Sequence, residues 1–190
     1  REGDNEIAVR LQNREQSSRW YPGAGLYRNV HLIVTDELAV KMWGTYVTTP
    51  IVRDHFAKVN VQVELDLPAS INPEEVKVAT EIFSPKGESL TSDVKKLTRF
   101  DESIATQELV VQNPLLWSPE TPHLYKAVTT VMHGNNTTDV YETTFGIRTL
   151  AVVPDQGFFL NGQRTLFKGT CNHHDNGPLG AVTNATAVRR

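Results

Sequence analysis

Cysteine is nearly absent from this chain of 190 residues: Cys171 stands alone, which excludes an intrachain disulfide and leaves the redox compartment open. No apolar run approaches the ~20 residues of a membrane-spanning helix. Neither sign of charge dominates. The formal net charge is -3, with both signs mixed throughout, so no basic stripe points to nucleic acid and no arginine-rich run to a membrane surface. Sustained 3.6-residue apolar periodicity is missing too, as are internal repeats and low-complexity tracts. There is no CxxC and no HExxH. The chain opens at Arg1, without an initiator Met or a signal peptide, inside what reads as a strand. The expectation is therefore an internal piece of a longer protein.

What is present is alternation. Ala57 to Leu67 sets Val59, Val61, Val63, Leu65 and Leu67 against Lys58, Asn60, Gln62, Glu64 and Asp66, one face buried and one wet. Glu75–Phe83, Leu90–Leu97, Ile104–Val111, Leu124–Met132 and Thr138–Ile147 read as further strands, with Pro, Gly and Asn between them. Two lysines suit Leu90–Leu97 to a sheet edge. Glu6–Leu11 and Val30–Val34 also read as strands. Trp43 and Trp117 are expected as core anchors. Short strands with turns every ~8–12 residues indicate an immunoglobulin-like sandwich. The Asn-x-Thr triplets at Asn135, Asn136 and Asn184 are common by chance, and Asn135-Asn136 suits a turn. Thr183-Asn184 can cap a short helix.

The chemistry-bearing residues gather in Gly157–Ala181. Apolar Phe158–Leu160 meet an Asn161-Gly162 hairpin signal, and Thr165–Phe167 resume an extended run. Cys171, Asn172, His173, His174 and Asp175 then arrive together. They suit a metal site by residue type, but adjacent strand residues face opposite ways, so His173 and His174 cannot easily share an ion. They equally suit a hydrogen-bonded loop at a strand end, or a subsite in which an imidazole meets a substrate hydroxyl. Spacing alone leaves the three readings open.

The words FFLNGQRTLFKG, NHHD and GPLGA, with SRWYPGAGLYRNVHL (18–32), NPLLWSPETPHLY (113–125) and FGIRT (145–149) upstream, come in one order over most of the chain. Together they resemble glycoside hydrolase family 2, the family of β-galactosidases, β-mannosidases and β-glucuronidases, and most of all its β-galactosidase branch. The resemblance implies an all-β chain: an immunoglobulin-like antiparallel β-sandwich flanked by remnants of a preceding β-sandwich and the start of a (β/α)8 barrel. The implied boundaries are 1–35 for the end of the sugar-binding sandwich domain, 36–150 for the immunoglobulin-like domain and 151–190 for the start of the catalytic barrel.

The same resemblance implies a retaining glycosidase as the full-length parent, with two catalytic glutamates on later barrel strands. No catalytic residue is then expected in this chain, which should be inactive by itself; Glu142 and Asp155 have the wrong context. His173 matches the histidine that closes the first barrel strand and binds the sugar. Asp175 is a second contact or the group that orients the imidazole, and His174 points away. Arg19 and Trp20 approach the pocket, although a packed aromatic corner explains Trp20 and Tyr21 equally well. Ser18 stands where some relatives carry a substrate-contacting Asp, so no role passes to it. The implied partner is a carbohydrate substrate, with neither nucleic acid nor membrane. No cofactor is required, and a divalent or monovalent cation is compatible with the full-length enzyme. The apolar arms, Ile7, Val9, Leu11, Val30, Leu32 and Val34 in one and Phe158, Phe159, Leu166 and Phe167 in the other, are expected to fold back on the sandwich or to pair with a second copy. The compartment stays open, periplasm or secretion being compatible. The alternatives are a non-catalytic carbohydrate-binding or adhesion module, and a β-mannosidase or β-glucuronidase of the same family.

Overall fold

The structure is a computed structural model that describes residues 4, 6–12, 14–16, 25, 30–98, 103–171 and 185–189. Ile33–Phe167 form one compact unit, and Arg1–Leu32 group with Lys168–Arg190 in another. Among the described residues the larger unit holds ten strands: β1 (Ala39–Val52), β2 (Phe56–Asp66), β3 (Val76–Phe83), β4 (Ser89–Lys96), β5 (Ile104–Gln112), β6 (Tyr125–His133), β7 (Asn136–Phe145), β8 (Leu150–Val153), β9 (Gly157–Leu160) and β10 (Gln163–Arg164). All their pairings are antiparallel. One sheet runs β1-β2-β5 and a second β4-β3-β6-β7, so the chain changes sheet between β2 and β3, β4 and β5, and β5 and β6. This is the Greek-key sandwich that the spacing of the turns predicts. Strand β4 lies at an edge, as its lysines led us to expect.

The alternation of β2 sets the register. Val59, Val61, Val63 and Leu65 are buried while Gln62 and Asp66 face solvent. Each such side chain contributes about 1.5–3 kcal/mol on burial, and a slip of one residue would turn all of them outward. Val76, Val78 and Ile82 of β3 and Leu109 and Val111 of β5 join the same core. Three polar side chains, Thr80, Gln107 and Thr129, are buried with them. Gln107, 2% exposed, receives the Thr80 hydroxyl at 2.6 Å and donates to the Asp93 carbonyl at 2.8 Å and the Val78 carbonyl at 3.3 Å. It thereby links strands of the two sheets.

Strand β1 departs from the expected pattern. Val40 pairs with Leu65 and Thr45 with Val63, so four residues, Lys41 to Gly44, oppose Glu64 alone. Trp43, expected in the core, stands on this bulge 87% exposed with φ at 60°. Gly44 permits the bulge, since a Cβ there would lie 2.6 Å from the Lys41 carbonyl oxygen and 2.7 Å from that of Glu64. A bulge turns its side chains off the core face. Lys41 closes the loop by an ion pair with Glu64 at 2.5 Å.

In the smaller unit, residues 6–12 and 30–32 carry the apolar faces read from the sequence but no strand ladder, and 33–36 of the larger unit have none either. A strand exists through its neighbour's hydrogen bonds, and these segments pair with no strand among the described residues. Ile7, Val9, Leu11, Val30, Leu32 and Val34 are exposed, as are Leu166 and Phe167. In the C-terminal arm Phe158 and Phe159 are half-buried, and neither is among the side chains packed against the core of the sandwich. A four-residue helix, α1 (Ala185–Val188), follows the expected cap, while Thr183 and Asn184 lie outside the described residues.

Candidate functional site

The residues singled out for sugar contact, His173, Asp175, Arg19 and Trp20, lie outside the described residues, as do Ser18 and His174. What the structure describes is the platform from which the chain enters the His173 segment. Strands β8, β9 and β10 form a three-stranded meander. Leu160 pairs with Gln163 across Asn161-Gly162, whose φ values of 51° and 76° are the two positive angles of a type I′ turn. Leu160 is buried, and Phe158 meets Phe167 with ring centroids 4.7 Å apart. The Thr165 amide donates to the Phe158 carbonyl at 2.9 Å, and Arg164 Nε to the Gln156 carbonyl at 2.7 Å. The hairpin therefore holds its outgoing chain as far as Thr165. Cys171, at the edge of the cluster, is exposed.

Asn161 also fixes this hairpin to the sandwich. Its amide donates to the Thr149 carbonyl at 2.9 Å, its Oδ1 accepts the Thr149 amide at 3.0 Å, and its Nδ2 donates to the Trp117 carbonyl at 3.0 Å. The Trp117 amide donates to the Ile147 carbonyl at 2.8 Å, and the Arg148 guanidinium lies 5.1 Å from the centre of the indole. A Cβ on Gly146 would come within 2.9 Å of Trp117 Cβ, so only glycine admits the indole here. Trp117, expected as a core anchor, is half-buried and lies outside the core cluster; it is held at this junction instead. Sequence reasoning read Asn161 as a turn residue and missed its side-chain bonds, which join segments 12 and 44 residues away.

Beside this junction runs a groove of about 570 Å³ lined by Tyr46, Thr48, Arg53, Phe145, Arg148 and Thr149 among others, without a carboxylate. It has no group for the acid/base work of glycoside hydrolysis. Glu64, Glu108 and Glu142 each pair with a lysine, at 2.5, 2.7 and 2.9 Å. Among the described residues no three His, Cys, Asp or Glu side chains come together to hold a metal, and no helix is long and apolar enough to cross a membrane.

The fold and junction define a class: an immunoglobulin-like β-sandwich module carrying a stapled hairpin that leads into a His/Asp segment. Residues 40–148, more than half of the chain, match the glycosyl hydrolases family 2, and the chain belongs to that family. It is 41% identical over 189 residues to a β-galactosidase of Bacteroides ovatus, a match covering 98% of this chain and 22% of that protein. It is 27% identical to a β-glucuronidase of Bacteroides fragilis, covering 93% of this chain and 27% of the relative. A crystal structure of a family 2 member from Bacteroides cellulosilyticus superposes with a TM-score of 0.75 at 33% identity, covering 89% of this chain and 22% of that one. The chain spans about a fifth to a quarter of the length of these relatives.

Proposed function

We propose that this chain is the non-catalytic middle of a retaining β-galactosidase. The observation that carries the reading is the 41% identity to the Bacteroides ovatus β-galactosidase over nearly the whole chain. A retaining glycosidase needs two carboxylates ~5–5.5 Å apart, one as acid/base and one as nucleophile. In this reading both lie on barrel strands outside these 190 residues. The sandwich is a rigid spacer, and the hairpin delivers His173 to a sugar hydroxyl. That hydrogen bond strengthens as the ring distorts toward the oxocarbenium-like transition state, so it lowers the barrier rather than merely holding the ground state. Asp175 orients the imidazole or takes a second hydroxyl, while Arg19 and Trp20 close the pocket wall.

The test is the full-length enzyme with aryl β-galactoside and aryl β-glucuronide, the anomeric configuration of the first product being read by NMR. Galactoside turnover with retention is expected, and none from the 190-residue chain. Preference for the glucuronide would move the parent to the β-glucuronidases, a second reading favoured by the relatives of that name. In the parent, His173→Ala should cost about 2–4 kcal/mol of transition-state stabilisation, by analogy with losing one oxyanion-hole donor. His174→Ala should cost much less, and equal losses would assign the wrong histidine.

A further inference from the structure

The groove between the edge of β1 and the junction of β7 and β8 holds two cations that the fold leaves unanswered. Arg53 and Arg148 both line it, and among the described residues neither meets a carboxylate. Lys41, Lys58 and Lys126, by contrast, each have a glutamate, and the chain as a whole is acidic, at -3. A guanidinium carries five N–H donors. Arg53 spends one of them, from Nη1 to the Val52 carbonyl at 3.0 Å. Arg148 lies over the Trp117 indole, which holds it in place but supplies no acceptor oxygen.

The two walls are tied to each other and to the rest of the unit. The Thr49 hydroxyl donates to the Arg148 carbonyl at 3.4 Å, and Asn161 holds Thr149 by its amide and its carbonyl. On the β1 wall Thr48 pairs with Asn60 and Ile51 with Lys58, so Thr49 and Pro50 together oppose Val59 alone. This second bulge, with a proline that has no N–H, denies the groove the regular ladder that an added peptide strand would need. What the groove offers instead is the Tyr46 ring, 66% exposed, and the hydroxyls of Thr48 and Thr149.

We propose that the groove is a second, non-catalytic site that binds a uronic acid, a sugar ring carrying a carboxylate. Arg148 takes the carboxylate, Arg53 adds a second positive charge to the same groove, and Tyr46 covers the apolar face of the ring. Its volume of about 570 Å³ falls in the ~300–1,000 Å³ range of ligand pockets. A neutral sugar would leave both cations unanswered, and an acidic peptide finds no edge to extend. The site is independent of the role proposed for His173.

The experiment titrates galacturonate, galactose and acetate into the 190-residue chain, with binding read by calorimetry and by the NMR shifts of the Thr48 and Thr149 amides. Saturable binding of galacturonate is expected, about tenfold or more tighter than that of galactose or acetate. Arg148→Met and Arg53→Met should each weaken it about tenfold, the usual effect of losing a charge-assisted partner, and Tyr46→Ala should weaken galacturonate without changing acetate. Equal binding of acetate would reduce the groove to a general anion site, and equal binding of galactose would remove the part given to the carboxylate; either result overturns the proposal. So does the absence of a saturable response, or one undiminished in both arginine variants. An aspartate-rich peptide that binds more tightly than galacturonate would make the groove a peptide site and overturn it as well. If Arg148→Met fails to fold, Arg53→Met and Tyr46→Ala, both at exposed positions, carry the same comparison.

Discussion

Replacing Gln107 by Met tests whether the buried polar link between the sheets stabilises the sandwich. Methionine keeps the length and nearly the volume of the side chain, so the packing loss is small. Three hydrogen bonds vanish: from Thr80 at 2.6 Å, to Asp93 at 2.8 Å, and to Val78 at 3.3 Å. A typical bond is worth about 1 kcal/mol net, and a buried group left without its partner costs about 1–3 kcal/mol. The Thr80 hydroxyl keeps Thr129 Oγ1 at 3.3 Å as a weak substitute, and the Asp93 carbonyl is only part-buried. The three losses therefore come to about 2–4 kcal/mol, a large share of a domain's stability. Thr80→Val by itself strands Gln107 Oε1 and should cost about 1–3 kcal/mol. The double variant leaves neither partner asking for the other, so it should recover about 1–2 kcal/mol of the summed loss. Urea unfolding of the 190-residue chain, followed by far-UV circular dichroism, reads all four corners of the cycle. A Gln107→Met chain within about 0.5 kcal/mol of the parent, or strict additivity in the double variant, would refute the reasoning.

Three further outcomes follow from particular contacts. Gly44→Ala should destabilise by about 1–3 kcal/mol, because its Cβ would meet two backbone oxygens that cannot yield without moving the strand; an unchanged urea midpoint would contradict this. Trp43→Gly should stay within about 0.5 kcal/mol of the parent, since the indole is exposed and glycine suits its positive φ, whereas a core tryptophan would cost about 3–5 kcal/mol. Tyr125 has its phenol raised above the ordinary value, chiefly by burial and against the opposing hydrogen bond from the Leu115 amide. Its contribution is therefore whole below the ordinary phenol range and is lost as pH rises through the raised value. Tyr125→Phe should flatten the alkaline decline in stability, read as urea midpoints across that pH range.

Where the pleat is regular, the sequence could be read directly. Every second residue of β2 falls in the core because one residue of β2 meets one residue of β5 from Phe56 to Glu64. Strand β1 defeated the same reading because its bulge sets four residues, Lys41 to Gly44, against Glu64 alone, and no periodicity announces a bulge. Gln107 was legible in principle, being the polar member of an otherwise apolar face with Ala105, Leu109 and Val111, but its partners on the other sheet were not. The unpaired arms show the limit from the other side. Alternation at Ile7, Val9 and Leu11 marks an apolar face but cannot supply the strand that would cover it. Of the site, the words around NHHD were legible by resemblance, while the hairpin's attachment required distances that no local pattern contains.

The staple at Asn161 can act only if its acceptor is itself fixed, and the crossover that carries Trp117 meets that condition in an unusual way. The twelve residues between β5 and β6 contain no helix or strand, a length at which connections tend to be either functional or loose. This one is tied at each end and in the middle. The Leu115 amide donates to the Tyr125 hydroxyl at 2.7 Å, and the Trp117 amide to Ile147. The Ser118 amide donates to the Thr121 carbonyl at 3.0 Å, and Ser118 Oγ accepts the Thr121 amide at the same distance. Pro114, Pro119 and Pro122 preset φ and remove conformations the unfolded loop would otherwise sample, so ordering it costs less entropy. The Trp117 carbonyl is consequently held by bonds other than the one it accepts from Asn161. A hydrogen bond to a preorganised acceptor returns more of its gross energy than one that must first order both partners. One asparagine can then fix a hairpin because the loop opposite it is already rigid.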